Sequence, residues 1–276
     1  MPRYLRLLLL SLRTSLLQGV QYRLDFLTQG VAQLLWAALS ALPLWIAFTA
    51  RAAASDTPLA AADIGGWGIY PAAMVFAFFL LLKAILDGAI NPSLTAVVEH
   101  IRSGTLDFML LKPADAQFLV STARFEVWHC TEALGALGLL GYAVARHHQG
   151  GAPLPGPLEV LAALLLLLCG VAMLYAVWIL VICAAFYVVK IDNLSYLFTS
   201  LFDFARWPRT VFRGAYHVLF TYLIPLTVMT SFPADALLHR LTGLQALWAL
   251  CGAALLLFAS RRLWLGSLAR YTSASS

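Results

Sequence analysis

Charge is what this sequence has least of. Only 11% of its 276 residues are Asp, Glu, Lys or Arg, while 62% are hydrophobic. A soluble domain carries about 25% charged and about 45–50% apolar residues. The chain has too little polar surface to cover itself in water, which excludes a soluble globular fold. Lysine is scarcer still: Lys83, Lys112 and Lys190 are the only three, and none follows a Gly. A P-loop needs Gly-x-x-x-x-Gly-Lys-Ser/Thr, whose glycines let backbone N–H groups cradle phosphates. Nucleotide binding of that kind is excluded. The four cysteines, Cys130, Cys169, Cys183 and Cys251, lie in apolar runs without CxxC spacing. They read as small apolar packing residues rather than a redox or zinc motif. No Ser-His-Asp arrangement or nucleophile elbow stands out. The Gly-rich "GGWGIYP" and "GALGLLG" are apolar, and read as a turn and as close helix packing.

What is present is long apolar sequence, with a mean hydropathy of +0.83. The runs are rich in Leu and Ala and do not alternate, which argues for helices over a β-barrel. A crossing helix needs roughly 20 mostly apolar residues. The expected fold is an all-α integral membrane protein, a single transmembrane domain over 1–276 with six spans. These are about Phe26–Ala50, Gly68–Ile90, Phe118–Ala145, within Leu158–Val189, Ala215–Phe232 and Leu244–Leu263. Residues 1–25 precede them. There Leu5, Leu8, Leu9, Leu12 and Leu16 fall on one helical face and Arg3, Arg6 and Arg13 on another. That pattern predicts an amphipathic helix lying in the interface, not a signal peptide. Residues 190–213, within "KIDNLSYLFTSLFDFARWPRTVFRG", read as an interfacial elbow broken at Pro208, or as a short re-entrant segment.

The net charge is +5 and the pI about 9.2. The basic residues flank apolar segments, so they point to membrane orientation rather than to nucleic acid. With the N-terminus inside, the cytoplasmic side holds Arg3, Arg6, Arg13, Arg23, Arg102, Lys112, Arg124, Lys190, Arg206, Arg209, Arg213, Arg261, Arg262 and Arg270. The outside holds Arg51, Arg146 and Arg240. Both termini are therefore expected in the cytoplasm.

Between the second and third spans lies a polar interruption, residues 91–117. Asn91-Pro92 suits a helix start, and Gly104 suits the position just past a helix end. Leu94, Val98 and Ile101 share a face, while Glu99, His100, Arg102 and Ser103 are polar. The spacing predicts a short amphipathic helix at the cytoplasmic surface, then a second apolar group ended by Lys112-Pro113. Asp115 is placed to cap the third span. A surface helix that only joins two spans is one reading. A docking surface for a soluble partner is the other.

"IRSGTLDFMLLKP", Ile101 to Pro113, resembles the pattern after the second span in permease subunits of type-2 ATP-binding-cassette (ABC) exporters, closest to half-size bacterial permeases. "IPLTVMTSFPADALL", Ile224 to Leu238, resembles that family's fifth-span pattern. The resemblance implies a coupling helix that docks on a separate ATPase, with Glu99, His100, Arg102, Ser103, Gly104, Thr105, Leu106, Asp107 and Lys112 at the contact. It implies a second permease subunit, a heterodimer more than a homodimer, and a dimer of cytoplasmic ABC ATPases. It also implies that ATP and Mg are bound by those ATPases and no cofactor by this chain.

Other polar groups lie within the spans. Glu126, His129 and Glu132 are three apart and share a face of the expected third span. Glu-x-x-His is a di-iron pattern, but it needs a matching motif on another helix, and none is present. Glu132, with His129, is the candidate for the translocation path or a subunit interface, set deeper than Arg124 and Glu126. Lys83 and Asp87, four apart, are expected to pair. His147-His148 reads as part of a solvated turn. Two other functions compete. A secondary transporter should show several midplane charges and interrupted spans in corresponding halves. A lipid-modifying membrane enzyme should show clustered acids or histidines at an interface.

Overall fold

The computed structural model describes residues 2–184, 192–212 and 214–270. Helix α1 (Pro2–Gln21) is followed, across a turn at Tyr22, by α2 (Arg23–Ala54). A two-stranded hairpin, β1 (Asp63–Ile64) and β2 (Trp67–Gly68), turns through Gly65 and Gly66 at φ +65° and +86°. Such positive angles suit glycine, which has no Cβ to clash. Next come α3 (Ile69–Ile85), a π-helical turn Leu86–Ile90, and α4 (Asn91–Arg102). Short helices α5 (Asp107–Leu110) and α6 (Ala116–Ser121) lead to α7 (His129–Gln149) and α8 (Pro157–Cys183). The chain continues through α9 (Asp192–Phe202), α10 (Ala215–Val218), α11 (Leu226–Leu237) and α12 (Gly243–Ala269).

Among the described residues four helices are long and apolar enough to cross a membrane: Arg23–Ala54, Ile69–Ile101, Pro157–Cys183 and Gly243–Ala269. The second is the central one. Its most apolar stretch is 72% buried, against 11% for α2 and 17% for α12. A helix that is apolar all round belongs inside a bundle, and α3 packs against α7 and α11. The bundle has two ends. The proximal end carries α1, whose Tyr4 packs edge-on against Phe118 and whose Ser15 Oγ accepts from Phe125 N–H at 3.3 Å. Leu5, Leu9 and Leu16 of α1 remain exposed, which leaves its apolar face open. The distal end carries the β-hairpin. The fourth expected span is helical over Pro157–Cys183, and residues 185–191, with Lys190, lie outside the described part, as does Arg213.

The structure departs from the sequence expectations in three places. First, the second span does not stop at Ile90. Helix runs unbroken from Ile69 to Ile101. Asn91 is already helical and caps nothing, because a π turn rather than a loop absorbs Pro92. Second, the expected third span, Phe118–Ala145, is split. Asp115 caps a helix as expected, its Oδ1 accepting from Phe118 N–H at 3.0 Å, but α6 ends at Ser121. Residues 122–128 leave the helix, and the N–H groups of Arg124, Phe125 and Glu126 are committed elsewhere. Arg124 N–H donates to Ser93 Oγ at 3.1 Å and Glu126 N–H to Gly88 O at 2.8 Å. Every buried backbone donor needs a partner, and here the partners lie across the fold.

Third, the expected elbow runs along the bundle. Phe198 on α9 meets Trp178 near the proximal end of α8, and Phe202 stacks on Phe79 of α3. Arg206 donates to Ser40 O, midway along α2. Arg209 pairs with Asp235, and a Cβ on Gly65 would lie 2.9 Å from Thr210 Oγ1. The chain therefore climbs from the proximal to the distal end over 192–211. Arg206 and Arg209 therefore lie away from the proximal end that carries α1. The expected fifth span, Ala215–Phe232, is instead a hairpin. Residues 215–223 descend part-way, with Phe220 against Phe212 and Phe204. The chain turns at Ile224-Pro225, where the residue before proline is extended. Helix α11 then returns, Thr230 Oγ1 donating to Ala205 O at 2.9 Å. Gly170 of α8 makes room for it: a Cβ there would sit 3.1 Å from Met229 O.

Candidate functional site

Two regions gather the polar residues. The first is the tip of the long central helix. Its C-terminal turn closes as a Schellman motif. Gly104, at φ +69°, donates to Ile101 O, and Thr105 N–H donates to His100 O at 3.0 Å. Side chains lock the same turn. Thr105 Oγ1 lies 2.8 Å from both His100 Nδ1 and Ser103 Oγ. Ser103 Oγ also donates to Glu99 O. Leu106 is fully buried beneath the turn, with Leu94, Val97 and Val98 buried along α4. So His100, Ser103, Gly104, Thr105 and Leu106 form one rigid unit. Glu99 and Lys112 point outward, and Asp107 opens α5. The side chain of Arg102 lies outside the described part.

Sequence reasoning passed over two residues at this tip. Phe108 is 70% exposed and Leu111 80%. Large apolar side chains left open beside Asp107 and Lys112 make the tip an amphipathic knob. Behind it Asp115 takes a bidentate contact from Arg261 of α12, Nη1 to Oδ1 at 3.1 Å and Nη2 to Oδ2 at 2.5 Å. Arg261 also donates to Gln117 Oε1 at 2.8 Å. The hydrogen bonds from Arg261 hold the Asp115 carboxyl below the usual carboxylate range, against the opposing effect of partial burial. No local signal announces a pair 146 residues apart.

The second region is a polar cleft of about 430 Å³ between α2, α3, α7 and the 192–211 segment. Lys83 pairs with Asp87 at 2.6 Å, as expected. Arg206 pairs with Asp203 at 3.1 Å and lies over the Phe79 ring. Glu132 is 2% exposed and lines the cleft from the first turn of α7, not from mid-helix as the unbroken span implied. His129 stands behind it, Nδ1 3.3 Å from Glu132 and Nε2 3.8 Å from Glu126. Glu126 lies in the break before α7 and does not share a helical face with them. Gly88 lets α7 start this close: a Cβ there would be 3.0 Å from His129 Cβ. Among the described residues no three His, Cys, Asp or Glu side chains converge as metal ligands. His147 and His148 fall in the last turn of α7, with the turn itself at Gly150-Gly151. Cys169 and Cys183 are buried as packing residues, whereas Cys130 and Cys251 are exposed.

A family model described as ABC-2 family transporter protein matches residues 57–275. The chain belongs to the ABC-2 transporter family. No curated protein and no solved structure matches it. Membership makes the chain a permease subunit of an ABC transporter, a multi-pass membrane protein that associates with ABC ATPase subunits. The matched range takes in the tip, the cleft walls other than α2, and the distal hairpin. The ATPase partner accounts for the missing P-loop.

Proposed function

We propose that this permease is the membrane subunit of an ATP-driven exporter, and that Glu99–Lys112 is its coupling element. Two permease subunits, a heterodimer more readily than a homodimer, form the path, and a dimer of ATPases drives it. ATP and Mg are bound by the ATPases. Six crossings fit the chain: α2, α3, α7, α8, residues 192–211 and α12, with 215–237 as a hairpin that enters and leaves on the distal side. The proximal end faces the cytoplasm. It keeps Arg3, Arg6, Arg13, Arg23, Lys112, Arg124, Arg261, Arg262 and Arg270, against Arg51, Arg146, Arg209 and Arg240 at the distal end. Both termini then lie inside.

The observation that carries this reading is the tip. A rigid, locked turn ends a 33-residue helix and presents Phe108 and Leu111 to solvent. Exposed apolar residues rimmed by charge mark a docking site. The inner-membrane setting and the direction of transport follow the family resemblance. The test is co-purification with the cognate ATPase and measurement of its ATPase stimulation. Glu99→Lys, Asp107→Lys and Phe108→Asp should each weaken binding, and the triple variant should abolish it. Binding and stimulation that survive the triple variant would sink the coupling assignment.

A further inference from the structure

The cleft beside Glu132 holds more negative charge than its own cations neutralise. It is lined by three carboxylates, Asp87, Glu132 and Asp203, and two cations, Lys83 and Arg206. Both cations are committed, Lys83 to Asp87 and Arg206 to Asp203. Glu132 has His129 as its one close ion-pair partner, and Lys83 reaches it only through a longer-range field. A charged His129 does not restore balance, because it also faces Glu126, and adding both leaves the same single excess of negative charge. Glu132 Oε2 takes the His129 contact, while Oε1 has no hydrogen-bond partner among the described residues. A side chain 98% buried, with an open carboxylate oxygen on a cleft, is an acceptor in want of a donor.

The rim of the cleft shows where that donor comes from. Trp36 lines it and is 67% exposed, next to Leu35 at 60% and Leu39 at 51% on α2. Trp36 lies about 15 Å along the helix from Phe26 and about 21 Å from Ala50, so the rim opens at hydrocarbon depth. A Trp face there also favours an organic cation. We propose that the cleft binds the ammonium head of an alkylammonium amphiphile entering from the lipid, its head on Glu132 and its tail along Trp36 and Leu39. The proposal rests on the permease reading only in treating the ligand as cargo; the binding itself needs no ATPase.

The test uses the full chain in maltoside micelles and a dodecylamine analogue bearing a diazirine, with labelled peptides mapped. Saturable labelling is expected on residues 33–40 or around Glu132. Dodecylamine should displace it at about tenfold lower concentration than dodecanol or ethylamine. Glu132→Gln should cut the displaceable label about tenfold. Ala37→Trp, which fills the cleft without touching a charge, should remove it also. Equal competition by dodecanol or by ethylamine overturns the proposal, as does full labelling of Glu132→Gln. If Glu132→Gln aggregates, unchanged labelling of Ala37→Trp overturns it. A chain that binds the amine but does not stimulate its ATPase would break the coupling reading and leave this one standing.

Discussion

The proximal tip and the distal hairpin both bend the chain sharply, but they are held in different ways. At the tip the partners are neighbours in sequence: Glu99, His100, Ile101, Ser103, Gly104 and Thr105 bond to one another across one turn. In the hairpin they are far apart: Ala205 with Thr230, Arg209 with Asp235, Gly170 with Met229. A turn made of local bonds keeps its shape when its surroundings move. A hairpin made of distant contacts exists only while the surrounding helices hold their places. The tip can therefore be displaced as a body, while the hairpin registers any shift of α8 or of the 192–211 segment.

That contrast can be broken by substitution. The largest effect is expected at Arg209→Ala, which leaves Asp235, a residue with 1% side-chain exposure, with only the longer-range field of Arg240. Breaking such a pair costs about 3–5 kcal/mol, so thermal unfolding in micelles should show a large loss, and Asp235→Asn in the same background should recover part of it. Gly170→Leu comes next. Its side chain meets the Met229 backbone, and overpacking of this kind costs about 1–3 kcal/mol. A melting temperature unchanged by either would mean that the hairpin is not held from a distance. Gly104→Ala should cost only about 1 kcal/mol, the penalty for a Cβ at φ +69°. Here ATPase stimulation should fall more than stability does, and equal losses would erase the distinction between tip and body.

The smallest effect concerns Asp115 and pH. Its carboxyl is held below the usual range by Arg261, so the folded pKa is the lower one. The stabilisation it brings is complete above the unfolded value of about 3.9 and fades as pH falls through the folded value. Melting curves should be indifferent to this group between pH 7 and 5, then lose ground at more acid pH. Asp115→Asn should remove that acid-limb loss and lower stability slightly at neutral pH.

The same contrast explains what the sequence could convey. Gly104 and Asp115 are local signals whose partners lie within a few residues, and both mark the turns they suggest. Lys83 and Asp87, four apart on a helix, pair as their spacing implies. The break at 122–128 was invisible because its donors answer to Ser93 and Gly88, some 30 to 40 residues away. The course of residues 192–211 along the bundle was hidden for a related reason. Its charges read as interfacial because Ser40, Phe79 and Asp235, which receive Arg206 and Arg209 inside the bundle, are named only by the tertiary fold. In the cleft each pair was legible on its own, but not the meeting of Lys83, Glu132 and Arg206 around one cavity.

The π turn at Leu86–Ile90 makes the central helix a beam with a fulcrum. Gly88 rests on the Glu126 N–H and the His129 side chain, at the point where α7 begins. From Gly88 to Ile101 is about 20 Å, and from Gly88 back to Ile69 about 29 Å. A rotation about that point magnifies motion by roughly half as much again. Moving the tip by about 2 Å swings the opposite end by about 3 Å, on the scale of a side chain's width and in the opposite sense. Lys83, five residues from the pivot, barely moves in the same stroke.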